Sequence, residues 1–269
     1  NMRVTFLGAC REVSGSSFLI ETAGKKILLD CGFFQGIKYA EERNYAPFSF
    51  DPGSIDFVII GHAHLDHTGR LPKLVRDGFA GKIFATAPTK ELCQLVLADN
   101  FKLMMEEAQR DRHKPLYDRD DVAKVMELFE ALEYNKGLEI SPGIKLTLKN
   151  AGHILGSAIT LLESESRRLA YTSDLGNRPS ILLNSPEIVD FAEAVICEST
   201  YGGRVHEDLS QRVQKLSQII STTIANNSVL MIPSFAIERT QELLHDIDQF
   251  CTINGCARPE FFLDSPLAS

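Results

Sequence analysis

The stretch Gly61-His62-Ala63-His64-Leu65-Asp66-His67 constrains this chain more than any other. Three histidines and an aspartate fall within six positions, directly behind the apolar run Phe57-Val58-Ile59-Ile60. A short apolar run reads as a buried strand, so the cluster sits where a strand empties into a loop, the place at which a rigid scaffold presents chemistry. Beyond it, Thr68 to Gly78 reads as a helix with a proline near its start and a glycine stop. Imidazole and carboxylate bind zinc-like ions at neutral pH, and the chain holds only 7 histidines in 269 residues, so their crowding here predicts a metal site. A lone histidine would read as a half-buried residue with satisfied ring nitrogens. One loop cannot close such a site, and the remaining ligands must come from elsewhere in the chain.

Four other strand ends carry groups of the right kind. Lys26-Ile27-Leu28-Leu29 ends on Asp30 beside Cys31-Gly32; alone, this aspartate is explained equally by a stabilised turn and by a partner that orients a metal-bound histidine. His153 stands in the turn Ala151-Gly152-His153-Ile154-Leu155-Gly156-Ser157. Asp174 closes the run Tyr171-Thr172-Ser173, and Glu198 follows the apolar Ala194-Val195-Ile196-Cys197. In one arrangement His62, His64 and His153 bind one ion, Asp66 and His67 bind a second, and Asp174 bridges them. Such ions keep open positions, as in a catalytic and not a structural site. Two ions about 3.5 to 4 Å apart activate a water and stabilise charge on attacking and leaving oxygens. That suits hydrolysis of an ester, amide or phosphodiester. Glu198, with no ligand role, is the candidate acid for the departing oxygen, and Asp30, Asp66 and Glu198 form the candidate catalytic set.

Strands are expected at Met2–Leu7, Phe18–Thr22, Lys26–Asp30, 56–60 and 82–86, the second and third joined as a hairpin through Ala23-Gly24-Lys25. Residues 33–54 read as loop with one short helix. Helices follow from Pro88-Thr89 to about Gln109 and from about Asp118 to Tyr134, the latter with Phe129 and Leu132 on its apolar face. Strands resume at 138–140, 144–150, 157–163 and 167–173. The last quarter reads as helix (208–226), strand (Ser228–Ile232), helix (from Phe235, with Pro233-Ser234 as an N-cap and candidate phosphate site) and strand (Glu260–Leu263). The net charge of −8 excludes a generally basic, nucleic-acid-coating surface, but bound dications would offset it locally. Six cysteines without a C-x-x-C pair read as small buried residues of a reducing compartment, hence a cytoplasmic protein. No apolar stretch approaches the roughly 18 to 20 residues of a membrane span.

With these residues assembled, the chain resembles the metallo-β-lactamase fold superfamily and, within it, the β-CASP RNA-processing nucleases. Leu-Leu-Asp30-Cys-Gly, His62 to His67, Ala-Gly-His153-Ile-Leu-Gly-Ser-Ala and Thr-Ser-Asp174-Leu-Gly-Asn look like that superfamily's first four motifs. Glu198 in Glu-Ser-Thr-Tyr-Gly, Pro233-Ser234-Phe235-Ala236 with Arg239, and Asp264-Ser265-Pro266-Leu267-Ala268 resemble the β-CASP branch in particular. The resemblance implies an α/β fold: an αββα metallo-β-lactamase sandwich over 1–200, followed over 201–269 by the first part of a β-CASP α/β domain. It implies two Zn2+ or similar divalent ions and a single-stranded RNA substrate cut endonucleolytically or from the 5′ end, and it is compatible with a homo-oligomer. It also implies two further histidine motifs beyond Asp264, so the chain as given reads as truncated. A DNA-directed nuclease, another metallo-hydrolase, and a scaffold that binds RNA or partners without cutting stay open as alternatives.

Overall fold

The computed structural model describes residues 1–36, 42–112, 114–180, 182–205, 210–254, 258, 260–265 and 267–268, and the chain divides into two compact units, Asn1–Thr200 and Tyr201–Ser269. In the first unit one sheet sets β1 (Arg3–Phe6), β2 (Phe18–Thr22), β3 (Lys25–Leu29), β4 (Phe57–Ile59), β5 (Lys82–Thr86) and β6 (Phe129–Leu132) side by side. A second sheet does the same with β7 (Leu138–Ser141), β8 (Ile144–Asn150), β9 (Ala158–Ser164), β10 (Arg167–Tyr171) and β11 (Ala194–Ile196). Two hairpins close on residue pairs in the left-handed region, Ala23 and Gly24 at φ 46° and 74°, Glu165 and Ser166 at 50° and 60°. Turns of that hand match the twist of the strands they join.

Strands β3 to β6 are parallel, so each crossover must carry a longer segment. These segments hold α1 (Leu65–Thr68), α2 (Leu71–Arg76), α3 (Ala87–Asp111) and α4 (Arg119–Leu128). Helices α3 and α4 pack against β5, and α3 also against β6. Thr86 caps α3, and Asp118 with Asp121 forms a reciprocal capping box on α4. Because β2 to β5 are covered on both sides, they read as near-continuous apolar runs and not as alternation. The facing surfaces of the two sheets share one core, in which Phe18, Ile20, Ile27, Leu29, Ile59 and Phe84 meet Ile144, Leu146, Leu148, Leu162 and Leu169. Each fully buried side chain of this size contributes roughly 1.5–3 kcal/mol, so the interlayer core fixes the strand ends that carry the site. The outer face of the second sheet (Ala151, Ile159, Leu161, Ala170) is covered by Leu175, Val189 and Ala192.

Several expectations are corrected. Phe129–Leu132 is not the last turn of a helix but a strand, Ile83 to Thr86 pairing with Phe129 to Leu132. An open sheet edge satisfies its backbone there, and that pairing outweighs helical periodicity. In the second unit α5 (Ser210–Ala225) packs on α6 (Arg239–Asn254) through Ile220, Ile247 and Cys251. Ser228–Ile232 and Glu260–Leu263 form no strand; Val229 is 93% and Phe262 86% exposed. A strand needs a neighbour to satisfy its N–H and C=O groups, and no described residue provides one. The second helix starts at Arg239, so Ser234 is not its N-cap. Cys31, Cys93 and Cys251 are buried, but Cys10, in a loop, and Cys197, just past the edge strand β11, are exposed. Cys256, Pro266 and the part of the 33–54 loop over 37–41 lie outside the described residues; in the described remainder of that loop Glu42 is helical and Pro52–Ser54 forms a 3-10 turn.

Candidate metal centre

The loop that follows β4 is held in place by main-chain hydrogen bonds from two other loops. Ser16 N–H donates to the Asp66 carbonyl (2.9 Å), Cys31 N–H to that of His67 (2.8 Å) and Phe33 N–H to that of Leu65 (2.8 Å). Gly15 N–H reaches the Phe33 carbonyl (2.7 Å) and Gly32 N–H that of Ser16 (2.9 Å), tying the first two loops together. The approach is so close that a Cβ on Gly32 would stand 1.6 Å from the Asp66 carbonyl oxygen. On the opposite sheet Ala158 N–H donates to the Gly61 carbonyl (2.7 Å). The His153 turn is fastened by Ser157 Oγ, which accepts the His153 N–H at 2.9 Å, and by Thr86 and Thr89, whose hydroxyls donate to the Gly156 carbonyl at 2.7 and 2.8 Å. The Asp174 loop lies on it, Gly176 N–H donating to the Ala151 carbonyl at 2.9 Å.

Into this frame the candidate ligands project. In each of two overlapping sets, His62/His64/His153 and His62/His67/Asp174, one donor atom from every member lies within 4.8 Å of the others. His64 Nδ1 is 3.0 Å from His62 Nε2 and 3.2 Å from His153 Nε2. Asp174 stands between the sets, 3.3 Å from His67 Nε2, 3.6 Å from His153 Nε2 and 3.9 Å from His62 Nε2. Asp66 reaches to 3.6 Å from His67 Nε2. His62 and His67 form a buried floor, and His153, Asp174 and Asp66 keep partial access to solvent.

The protonation states differ across the floor. Burial, reinforced by facing imidazoles, lowers His62 well below its ordinary value. Burial likewise lowers His64, with His67 beside it, and His153 to about 4 each. Their lone pairs are therefore available at neutral pH. His67 is raised well above the ordinary value: burial opposes its charge, but Asp30, Asp174 and Asp66 overcome that. Burial raises Asp66, and the His67 contact holds Asp174 below its ordinary value against burial. A nitrogen-rich donor set with two carboxylates, largely dry and with most rings neutral, fits a zinc-like dication.

Asp30 is fully buried at φ 56°. It accepts Gly61 N–H (2.8 Å), His67 Nδ1–H (2.6 Å) and Tyr171 O–H (2.5 Å), so it orients His67. Glu198 lines the same cavity of about 360 Å3 as His67, Ser173 and Asp174. Its oxygens accept the N–H groups of Leu175 (3.1 Å) and Thr200 (3.2 Å). Sequence reasoning assigned no role to Ser173, whose Oγ is 3.0 Å from His62 Nδ1, or to Tyr171. Their signal was position: both lie within three residues of Asp174, at the end of the strand that delivers it.

A family profile described as "Metallo-beta-lactamase superfamily domain" matches residues 19–200. "Ribonuclease TTHA0252" of Thermus thermophilus is 40% identical over 99% of this chain and 59% of its own length. "Transcription termination factor FttA" of Methanosarcina mazei is 35% identical over 90% of this chain and 38% of its own. "Cleavage and polyadenylation specificity factor subunit 3-I" of Arabidopsis thaliana is 33% identical over 92% of this chain and 35% of its own. The chain thus spans well under two thirds of the length of each.

Proposed function

The chain belongs to the metallo-β-lactamase superfamily, and from that premise we propose that it is a metal-dependent ribonuclease that hydrolyses single-stranded RNA with two zinc or similar divalent ions. The observation that carries this reading is the convergence of His62, His64, His67, His153 and Asp174 from distant loops into two overlapping donor sets, of which His67 and Asp174 line the cavity. The names of the relatives supply the substrate class. His62, His64 and His153 would hold one ion and Asp66 and His67 a second, with Asp174 standing between the two sets. When bound, the pair supplies Lewis acidity that brings the pKa of a water toward neutrality and stabilises the oxygens of the phosphoryl group.

The chain's own groups do the rest. Asp30 accepts the hydrogen bond of His67 Nδ1–H and leaves its Nε2 turned to the other donors, and Ser173 Oγ pairs with His62 Nδ1 in the same way. Second-partner contacts of this kind fix the tautomer and aim of a metal-binding histidine. Glu198, on the cavity wall beside Asp174, is the candidate general acid for the departing oxygen. The unit Tyr201–Ser269 belongs to a β-CASP domain. The free thiols of Cys10, Cys31, Cys93 and Cys197 suit the reducing cytoplasm, and no helix among the described residues is long and apolar enough to cross a membrane.

The test is metal analysis of the intact protein together with cleavage of labelled single-stranded RNA by wild type and by Asp66→Ala. About two ions per chain and loss of cutting in the variant are expected. Cutting untouched by the substitution overturns the metal mechanism. A metal-loaded wild type that binds RNA without cutting it leaves the scaffold reading in its place.

A further inference from the structure

The cavity that His67 and Asp174 line is also lined by Phe6, the last residue of β1, and by Arg11 and Val13. Phe6 is 55% and Val13 69% exposed. Phe6 stands opposite Phe18 in the strand register and meets its ring at 5.4 Å and 89°. Phe18 in turn lies 5.2 Å from Tyr171, which donates to Asp30. A continuous aromatic path therefore runs from solvent to the carboxylate that orients His67, with its outermost ring open on one side.

Arg11 is exposed and makes no hydrogen bond or ion pair with any described residue. The adjacent Glu12 does not engage it, being held by Arg43 at 2.6 Å. The loop presents Arg11 with a backbone held at φ 64°, next but one to Ala9 at 50°. Left-handed conformations are uncommon for such residues and persist where the surrounding structure imposes them. On a chain of net charge −8, a guanidinium that lines the cavity and is unengaged by any described residue is a local attraction for a polyanion.

We propose that this part of the cavity lining is a nucleotide subsite: a base of single-stranded RNA next to the scissile bond stacks on Phe6, and Arg11 holds its phosphate. The proposal rests on the nuclease reading and deepens it. Stacking on an open ring is tolerant of sequence because every base has a π face, and a guanidinium fork matches the geometry of phosphate oxygens. The subsite therefore selects an unpaired strand and not a particular base, since a base in a duplex has no free face to offer.

Binding is measured by fluorescence anisotropy on the metal-loaded intact protein, with a labelled single-stranded RNA whose phosphorothioate linkages resist cutting, over a range of salt. Phe6→Ala and Phe6→Leu should each weaken binding about tenfold and Phe6→Tyr should restore it. Arg11→Ala should make the log–log salt slope shallower by about 0.7, and Arg11→Lys should keep it. Melting temperature and bound-metal content report whether each variant is folded. Wild-type affinity and slope in both alanine variants overturns the subsite, as does an equal loss in Phe6→Tyr. Cleavage of ordinary RNA is read separately: if wild type binds but does not cut, the nuclease reading fails while the subsite comparison stands, and if it does not bind, both fail.

Discussion

The two donor groups share His62 yet differ in charge. Three rings that face one another, His62, His64 and His153, are driven neutral by burial first and then by neighbouring imidazoles, His67 among them in each case. His67, 4.0 Å from the His62 ring, is driven the other way because Asp30 and Asp174 stand 2.6 and 3.3 Å from its nitrogens. Residue type does not decide the state; the facing groups do. The first group offers lone pairs without any proton leaving. The second must release a proton when it takes a cation, so metal uptake on that side is coupled to pH.

The largest effect should come from Asp174→Ala, because this carboxylate faces both groups. RNA cutting should vanish and both ions should leave, as read by metal analysis; retention of either ion would show that the groups are independent. Asp30→Asn keeps the shape of the buried partner and removes its charge, so activity should fall about 10–100-fold. Metal titration of that variant should show the loss on the His67 side alone; an equal loss on both sides would erase the distinction.

The smallest effect is on the metal-free protein's stability. His64 and His153 take up protons near pH 4 when folded and near 6.5 when unfolded. Between those values the unfolded chain binds more protons, so stability falls as pH drops, by on the order of a few kcal/mol. The contribution of His67 has the opposite sign and another window: it is complete below pH 6.5 and is lost as pH rises through the raised folded value. The melting temperature of chelated protein should peak near pH 6.5. A curve still climbing through pH 9 would mean that His67 carries no extra proton.

The candidate metal loop stands out in the sequence because its donors are local: four such side chains fall in six positions. The resemblance to the metallo-β-lactamase superfamily and its RNA-processing branch is borne out by the profile match and by relatives named as ribonuclease and cleavage factor. Most strands of the first unit were legible from apolar runs and turn residues. What stayed hidden depends on pairing across the chain. Tyr171 meets Asp30 over a separation of 141 residues, which no local pattern records. Phe129–Leu132 carries a helix-like spacing but lies beside the edge of a sheet, and Ser228–Ile232 carries a strand-like run with no described neighbour to complete it. Secondary structure read from periodicity fails where a partner, present or missing, settles the backbone.

The woven loops around Gly15, Gly32 and Asp66 bear on how a cation is acquired. Their bonds are main chain to main chain and owe nothing to an ion, so the donors reach their stations as the polypeptide folds. Small zinc-dependent modules behave otherwise, gaining their shape only as the ion arrives. Here chelation should strip the pocket yet leave its walls standing, and reloading should proceed like a key entering a finished lock.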